Sequence, residues 1–281
     1  MILVTGATGV VGRAVLSALS GCPVRALVRD PAKAGALPPR VEAVLGDYAD
    51  GASLEAALKG VTSAFLVTNR ITHDDDGAFL AAARAAGVRH VVKLSAASVA
   101  DAEAVDAITR WQRAAEEAVR GSGLGWTLLR PRAFMSNTLA WAPEVRTGRT
   151  VRVMSPEGRN ACVDPRDIAE VAALALTRDG HDGRAYTLTG PRPLTAAEQA
   201  AELAARLGRP VVVGELSAAE ARERWARRHP SAVVEALIES ASRQSRGVKA
   251  TVDPAVPTLL ARPARDYRTW VTDHLDAFRA D

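Results

Sequence analysis

Met1-Ile-Leu-Val-Thr5-Gly6-Ala-Thr-Gly9-Val-Val-Gly12 opens the chain. A short apolar run of strand-forming residues meets three glycines spaced three apart, and Arg13 to Leu19 then reads as an amphipathic helix. Strand, glycine turn and helix in that order make a seat for a pyrophosphate. Glycine permits the tight turn and the close approach of the backbone, and the first turn of the helix offers unpaired amides and the positive end of its dipole. Gly6, Thr8, Gly9, Val10, Val11 and Gly12 are therefore the first candidate cofactor contacts.

Outward from that turn, Val24–Val28, Val41–Leu45, Ala64–Val67, Arg89–Leu94 and Trp126–Arg130 read as strands, and Asp76–Ala86 and Ala104–Arg120 as helices. Strands alternating with helices imply parallel pairing through right-handed crossovers, an α/β fold with a Rossmann-type doubly wound sheet that binds ligands at the carboxyl ends of its strands. After Pro131 the rhythm changes. Asp164 caps a helix running to Thr177, Ala185–Leu188 is strand-like, and Thr195-x-x-Glu198 opens a helix closed by Gly208. Val211–Val213 is a short strand, and the polar, helical remainder is broken at Pro230, Pro254, Pro257 and Pro263. The expected division is a dinucleotide-binding domain over 1–131, interleaved with later elements, and a smaller, mostly helical substrate-binding portion over 132–281 with a soft boundary.

Composition sets the limits. The 281 residues are 48% apolar and 24% charged, which excludes a disordered or collagen-like chain. Net charge is 36 − 32 = +4, and the basic residues are scattered. Arg222, Arg224, Arg227 and Arg228 alternate with Glu220 and Glu223, a solvated helix face and not a nucleic-acid stripe. Cys22 and Cys162 fit neither metal spacing nor a disulfide framework, and His73 with Asp74, Asp75 and Asp76 reads as the acidic first turn of a helix, so no metal is expected. No apolar run approaches the roughly 20 residues of a membrane span, and no basic leader precedes the first strand. The expectation is a cytoplasmic protein with a small-molecule partner, without nucleic acid or membrane.

Arg29 ends the second strand. A guanidinium there suits a ribose 2′-phosphate, which favours NADPH over NADH, and the Asp30 that follows either holds a ribose hydroxyl or caps the helix begun by Pro31. The Gly-x-x-Gly-x-x-Gly spacing resembles the short-chain dehydrogenase/reductase family in its extended and atypical branches. The resemblance implies that Asp47 meets the adenine amino group and Tyr48 flanks the ring. It implies too that Thr68, Asn69 and Arg70 pass the ribose, with Val67 a cofactor contact just before them, and that Leu94, Ser95 and Ala96 lie beside the nicotinamide.

Ordinary members of that family move a proton with a Tyr-x-x-x-Lys pair and a serine. Here the three tyrosines are Tyr48, Tyr186 and Tyr267, and four residues beyond them stand Ala52, Gly190 and Val271, so the pair does not exist. Trp111 and Ala115 occupy its places on the 104–120 helix, and Ala97 replaces the serine, flanked by Ser95 and Ser98. Ser95, Ser98 and Gln112, with Thr109, are the candidate catalytic donors to a developing oxyanion. Only four of the 36 basic residues are lysine: Lys33, Lys59, Lys93 and Lys249. Lys93 alone falls near the expected centre, where it either reaches the cofactor or points outward from its strand.

Ala115-Glu116-Glu117, Ser122–Pro131, Val163–Ala169 and Thr195–Gly208 narrow the likeness to the NmrA-like and NAD(P)H:quinone oxidoreductase-like branch, over roughly residues 1–215. That resemblance implies NADPH-dependent reduction of a ketone or quinone on an aromatic, polycyclic substrate. Hydride transfer would rest on positioning, with the proton drawn from substrate or water. Trp111, Phe134 and Met135 are the candidate substrate contacts. The arginine- and alanine-rich composition points to a GC-rich actinomycete, where the branch includes antibiotic-tailoring ketoreductases of angucycline or simocyclinone type. The alternatives are a non-catalytic NADP(H)-sensing regulator, or an epimerase or dehydratase on the same fold.

Overall fold

The computed structural model describes residues 1–279. In chain order its main elements are β1 Ile2–Val4, α1 Val10–Ala18, β2 Val24–Val28, α2 Pro31–Ala34, β3 Val41–Leu45, α3 Gly51–Leu58, β4 Ser63–Leu66, α4 Asp75–Ala85, β5 His90–Leu94, α5 Ala107–Gly121 and β6 Gly125–Pro131. There follow α6 Ala142–Arg146, β7 Val151–Val153, α7 Pro165–Thr177, β8 Arg184–Leu188, α8 Ala196–Leu207 and β9 Val213–Glu215. The chain then continues as α9 Ala218–Ala226, α10 Ser231–Ser245, α11 Ala255–Leu260 and α12 Tyr267–Asp273.

Seven strands form one sheet in the order β3-β2-β1-β4-β5-β6-β8, and the pairings from β3 through β6 are parallel. From β1 the chain winds out to β3, returns beside β1 as β4, and winds the other way. That reversal opens a crevice at the carboxyl ends of β1 and β4. β1 and most of β2, β4 and β5 are buried, as strands covered by helices on both faces must be. Leu3, Leu54, Leu58, Phe79 and Leu128 fill one side of the sheet.

Two compact units result. The first takes Met1–Glu103, Thr109–Pro131 and Pro165–Thr187, the last segment bringing α7 against α1. The second takes Ala104–Ile108, Arg132–Asp164 and Leu188–Asp281, of which the last two residues lie outside those described. Its core stacks Tyr267 on Trp270 and Trp270 on His274, with Leu203, Val271 and Phe278 around them. A parallel pair, β7–β9, lies in this unit. No helix among the described residues is long and apolar enough to cross a membrane.

Several boundaries differ from the sequence reading. The first helix starts at Val10 and not Arg13, because Gly12 already belongs to its first turn. The strand expected at Val211–Val213 begins at Val213, where pairing with Val151 sets the register. α3 and β7 carry no expectation. α3 is alanine-rich with a faint apolar stripe and is held by its cap, Asp50, which accepts from Ala52 and Ser53. β7 is three residues whose partner lies about sixty residues downstream.

Candidate functional site

The glycine turn is built around close backbone contact. Gly6 has φ +60° and its carbonyl accepts from Gly9 N at 2.9 Å. A Cβ on Gly12 would sit 2.1 Å from that same carbonyl oxygen, and one on Gly6 would sit 2.9 Å from Val67 Cβ. Gly9 is the N-cap of α1 and has no side chain to satisfy the amides that follow it, so Val10, Val11 and Gly12 present them to the crevice mouth.

One cleft brings together Gly6, Thr8, Arg29, Asp47, Tyr48, Val67 and Asn69. Arg29 is exposed there and makes no hydrogen bond or ion pair to a described residue, so its donors face solvent. Asp30 accepts from Ala32 N at 3.0 Å and caps α2, which ties its carboxylate to that turn. Asp47 Oδ1 accepts from Ala49 N (2.9 Å) and from Arg70 Nη2 (3.0 Å). The Ala49 amide, and then the Arg70 charge, hold its carboxyl below the usual range against the pull of burial. The Tyr48 hydroxyl donates to Val67 O at 2.6 Å, its ring lies edge-on to Phe79, and burial pushes the phenol up, so it stays neutral.

Thr68 and Ser95 turn inward from the cleft. Thr68 Oγ1 donates to Asp76 Oδ2 (2.9 Å) and accepts from Lys93 Nζ (2.9 Å). Ser95 Oγ donates to Glu116 Oε1 at 2.6 Å, which commits the hydroxyl proton to that carboxylate. Leu94, half-buried, ends β5 just before it. Ser98 Oγ accepts from Thr109 Oγ1 at 2.9 Å. Gln112 is buried on α5, and its Oε1 has no hydrogen-bond partner among the described residues. Trp111, beside it, holds its ring 5.7 Å from Lys93 Nζ. In the second unit Phe134 bridges Val163 through its backbone, and Met135 is packed in the core against Leu194 and Leu203.

Two buried ion pairs lie outside the sequence reading, Lys93 with Asp76 and Glu116 with Arg130. Lys93 neither reaches the cleft nor points outward: it is fully buried, 3.1 Å from Asp76 Oδ1. Burial lowers the Lys93 pKa and Asp76 opposes that shift. Glu116, also fully buried, accepts from Arg130 Nε (2.8 Å) and Nη2 (2.6 Å), from Arg120 Nη2 (2.8 Å) and from Ser95. Burial works against its charge, but those donors outweigh it and keep the carboxyl below its ordinary value. The acidic start of α4 divides its labour: Asp74 caps the helix at Gly77 N, Asp75 clamps Arg70, and Asp76 holds Lys93.

A doubly wound parallel sheet, a glycine turn feeding a helix, and a cleft at the ends of β1, β2, β3 and β4 define a dinucleotide-binding α/β protein. Residues 6–179 match the NAD(P)H-binding family, and the chain belongs to it. It is 51% identical over 279 residues, 99% of each chain, to the (4-alkanoyl-5-oxo-2,5-dihydrofuran-3-yl)methyl phosphate reductase of Streptomyces griseus. It is 36% identical over 286 residues, the whole of each chain, to the NAD(P)H azoreductase of Xenophilus azovorans. Among solved structures it resembles the NADPH complex of an Escherichia coli NADPH-dependent quinone oxidoreductase, with TM-score 0.84 and 28% identity over 97% of this chain and 99% of that one. The protein is an NAD(P)H-dependent reductase. The residues present fit the cofactor: a Cβ at Gly6 or Gly12 would strike Val67 or the Gly6 carbonyl, so only glycine lets the turn close this tightly and leave the α1 amides free for a pyrophosphate.

Proposed function

We propose that the protein uses NADPH to reduce the conjugated carbon–carbon double bond of a small acyl-furanone phosphate. The observation that carries this reading is the 51% identity, across 99% of both chains, to a reductase of that substrate class. Bound at the glycine turn, NADPH supplies the hydride.

In such a substrate the ring double bond is conjugated to both the lactone and the alkanoyl carbonyl. Hydride adds to the ring carbon bearing the phosphate arm. The π pair moves into the two carbonyls, and a proton from water then adds to the carbon between them. The charge is shared by two oxygens, so no strong acid is needed beside it. This agrees with a chain that has no Tyr-x-x-x-Lys pair and whose Ser95 proton is held by Glu116. Ser98 and Gln112 are the groups proposed to steady the oxyanion, with Trp111 and Phe134 as substrate contacts. Arg29 at the cleft, with its donors open, favours NADPH over NADH.

Reduction of a quinone or ketone on an aromatic ring is the second reading. It draws on the likeness to the E. coli quinone oxidoreductase; a quinone too ends on a delocalised anion, whereas a ketone ends on an alkoxide that takes its proton from a neighbouring phenol or from water. The test is NADPH consumption with a 4-alkanoyl-furanone methyl phosphate, a polycyclic quinone and an aromatic ketone. The expected kcat/KM for the furanone exceeds the others by about 100-fold, and deuterium from labelled NADPH appears on the ring carbon bearing the phosphate arm. Faster turnover of the quinone would replace the first reading with the second.

A further inference from the structure

Lys93 occupies a place where the sheet calls for an apolar side chain. It lies on β5 in register with Leu66 on β4 and Leu128 on β6, and both leucines belong to the core of the first unit. Residues paired in register point to the same face of a sheet, so a fully buried ammonium stands in a row of leucines. A buried ion pair seldom stabilises a fold more than apolar side chains packed in the same space. Packing alone therefore gives no reason for a lysine here.

Its ammonium is surrounded by three groups. Thr68 Oγ1 accepts from it at 2.9 Å, Asp76 Oδ1 lies at 3.1 Å, and the centre of the Trp111 ring lies at 5.7 Å, within cation–π reach. Thr68 Oγ1 in turn donates to Asp76 Oδ2 at 2.9 Å, so lysine, threonine and aspartate close a ring of contacts. Thr68 stands between two residues that line the cofactor cleft, Val67 and Asn69. Val67 is fixed by its own peptide groups: its amide donates to Thr5 Oγ1 at 2.8 Å and its carbonyl accepts from the Tyr48 hydroxyl at 2.6 Å. The Asn69 side chain is exposed and makes no hydrogen bond among the described residues. Its place in the cleft is set by the residues on either side, Arg70 through Asp47 and Asp75, and Thr68 through Asp76 and Lys93.

We propose that Lys93 is a positioning residue for the dinucleotide, acting through Thr68 to hold Val67–Asn69 as a fixed wall of the cofactor cleft. The proposal concerns the cofactor and is independent of which substrate is reduced. Lys93→Met alone would strand the Asp76 carboxylate in the core, so the test combines Lys93→Met with Asp76→Asn, whose amide oxygen still accepts from Thr68. This double variant should keep a Tm close to that of wild type. Without cofactor, its amides at Val67–Asn69 should exchange faster than in wild type, while those of β1 and β5 stay protected. Its Kd for NADPH, read by fluorescence titration, should rise about 5- to 20-fold. Thr68→Val leaves the Lys93–Asp76 pair in place and should weaken NADPH binding by a similar factor. Adding Thr68→Val to the double variant should weaken binding little further, because both changes act through one hydroxyl. Lys93→Arg keeps a charged donor and should recover most of the affinity.

A double variant that is folded and binds NADPH as tightly as wild type overturns the proposal and leaves Lys93 a structural group. So does a Thr68→Val effect that adds in full to that of the double variant, or faster exchange spread through the whole first unit. Should the double variant fail to fold, Thr68→Val decides alone: unchanged affinity for NADPH overturns the proposal, and weaker binding with faster exchange confined to Val67–Asn69 upholds it.

Discussion

Arg29 and Lys249 each make a separate prediction, the first exposed and the second half-buried with its ammonium 2.7 Å from Ser240 Oγ. Arg29 ends β2 and is exposed at the cleft that also holds Gly6, Asp47 and Tyr48. Losing one charge-assisted contact to a 2′-phosphate costs about 1.5–3 kcal/mol. Arg29→Ala should therefore weaken NADPH binding about 10- to 100-fold by fluorescence titration and leave NADH binding nearly unchanged; equal losses for both would detach Arg29 from the 2′-phosphate. Lys249 binds its proton less tightly folded than unfolded, because its pKa falls to about 8. Between about pH 8 and the ordinary lysine range the unfolded chain holds the proton that the folded one releases, so stability rises with pH across that window. At neutral pH the buried charge is a net burden. Lys249→Met should raise Tm, by about 1–2 kcal/mol of stability after allowing for the residual solvent contact, and the gain should vanish above the ordinary lysine pKa. A lower Tm for Lys249→Met at neutral pH would make Lys249 a structural residue.

At the scale of elements, the buried Glu116 joins α5 to β6 through Arg130, and to the residue after β5 through Ser95. Removing one partner of a buried pair costs about 3–5 kcal/mol. Glu116 has a folded pKa below its unfolded value, so the stability it gives is present above the unfolded pKa and is lost as pH falls through the folded one. Glu116→Gln should lower the stability measured by urea at pH 7 and flatten its decline below about pH 4.5, the unfolded glutamate range. An unchanged acid limb would remove Glu116 as its source. These same elements show what a sequence can reveal. The glycine turn, Arg29 at the end of its strand and the doubly wound parallel sheet were legible because turn chemistry and alternation are local: Gly6 to Gly12 carry their own geometry. Lys93 with Asp76, and Glu116 with Arg130, were not, because each pair joins residues 17 and 14 positions apart on different elements, and only the sheet order brings them face to face. Lys249 was likewise hidden, since its neighbours Ala161, Cys162 and Ser240 come from separate segments. The missing Tyr-x-x-x-Lys pair needed no structure, being a matter of counting tyrosines.

For the whole molecule, the first of the two compact units carries the anion-seeking feature, the glycine turn with Arg29. Each unit has its own apolar core, so each opens and exchanges its amides with its own free energy. A ligand stabilises what it binds, by about 2.7 kcal/mol at a hundred times its Kd, and slows exchange where it sits. NADPH alone should therefore protect the amides of Val10–Gly12, Gly46–Tyr48 and Val67–Asn69. Arg29→Ala at the same NADPH concentration should weaken that protection, and hydrogen exchange read by mass spectrometry resolves the three segments. Protection by NADPH that spares Val10–Gly12 would take the pyrophosphate away from the glycine turn, whose free amides at the start of α1 are the anion seat of the first unit.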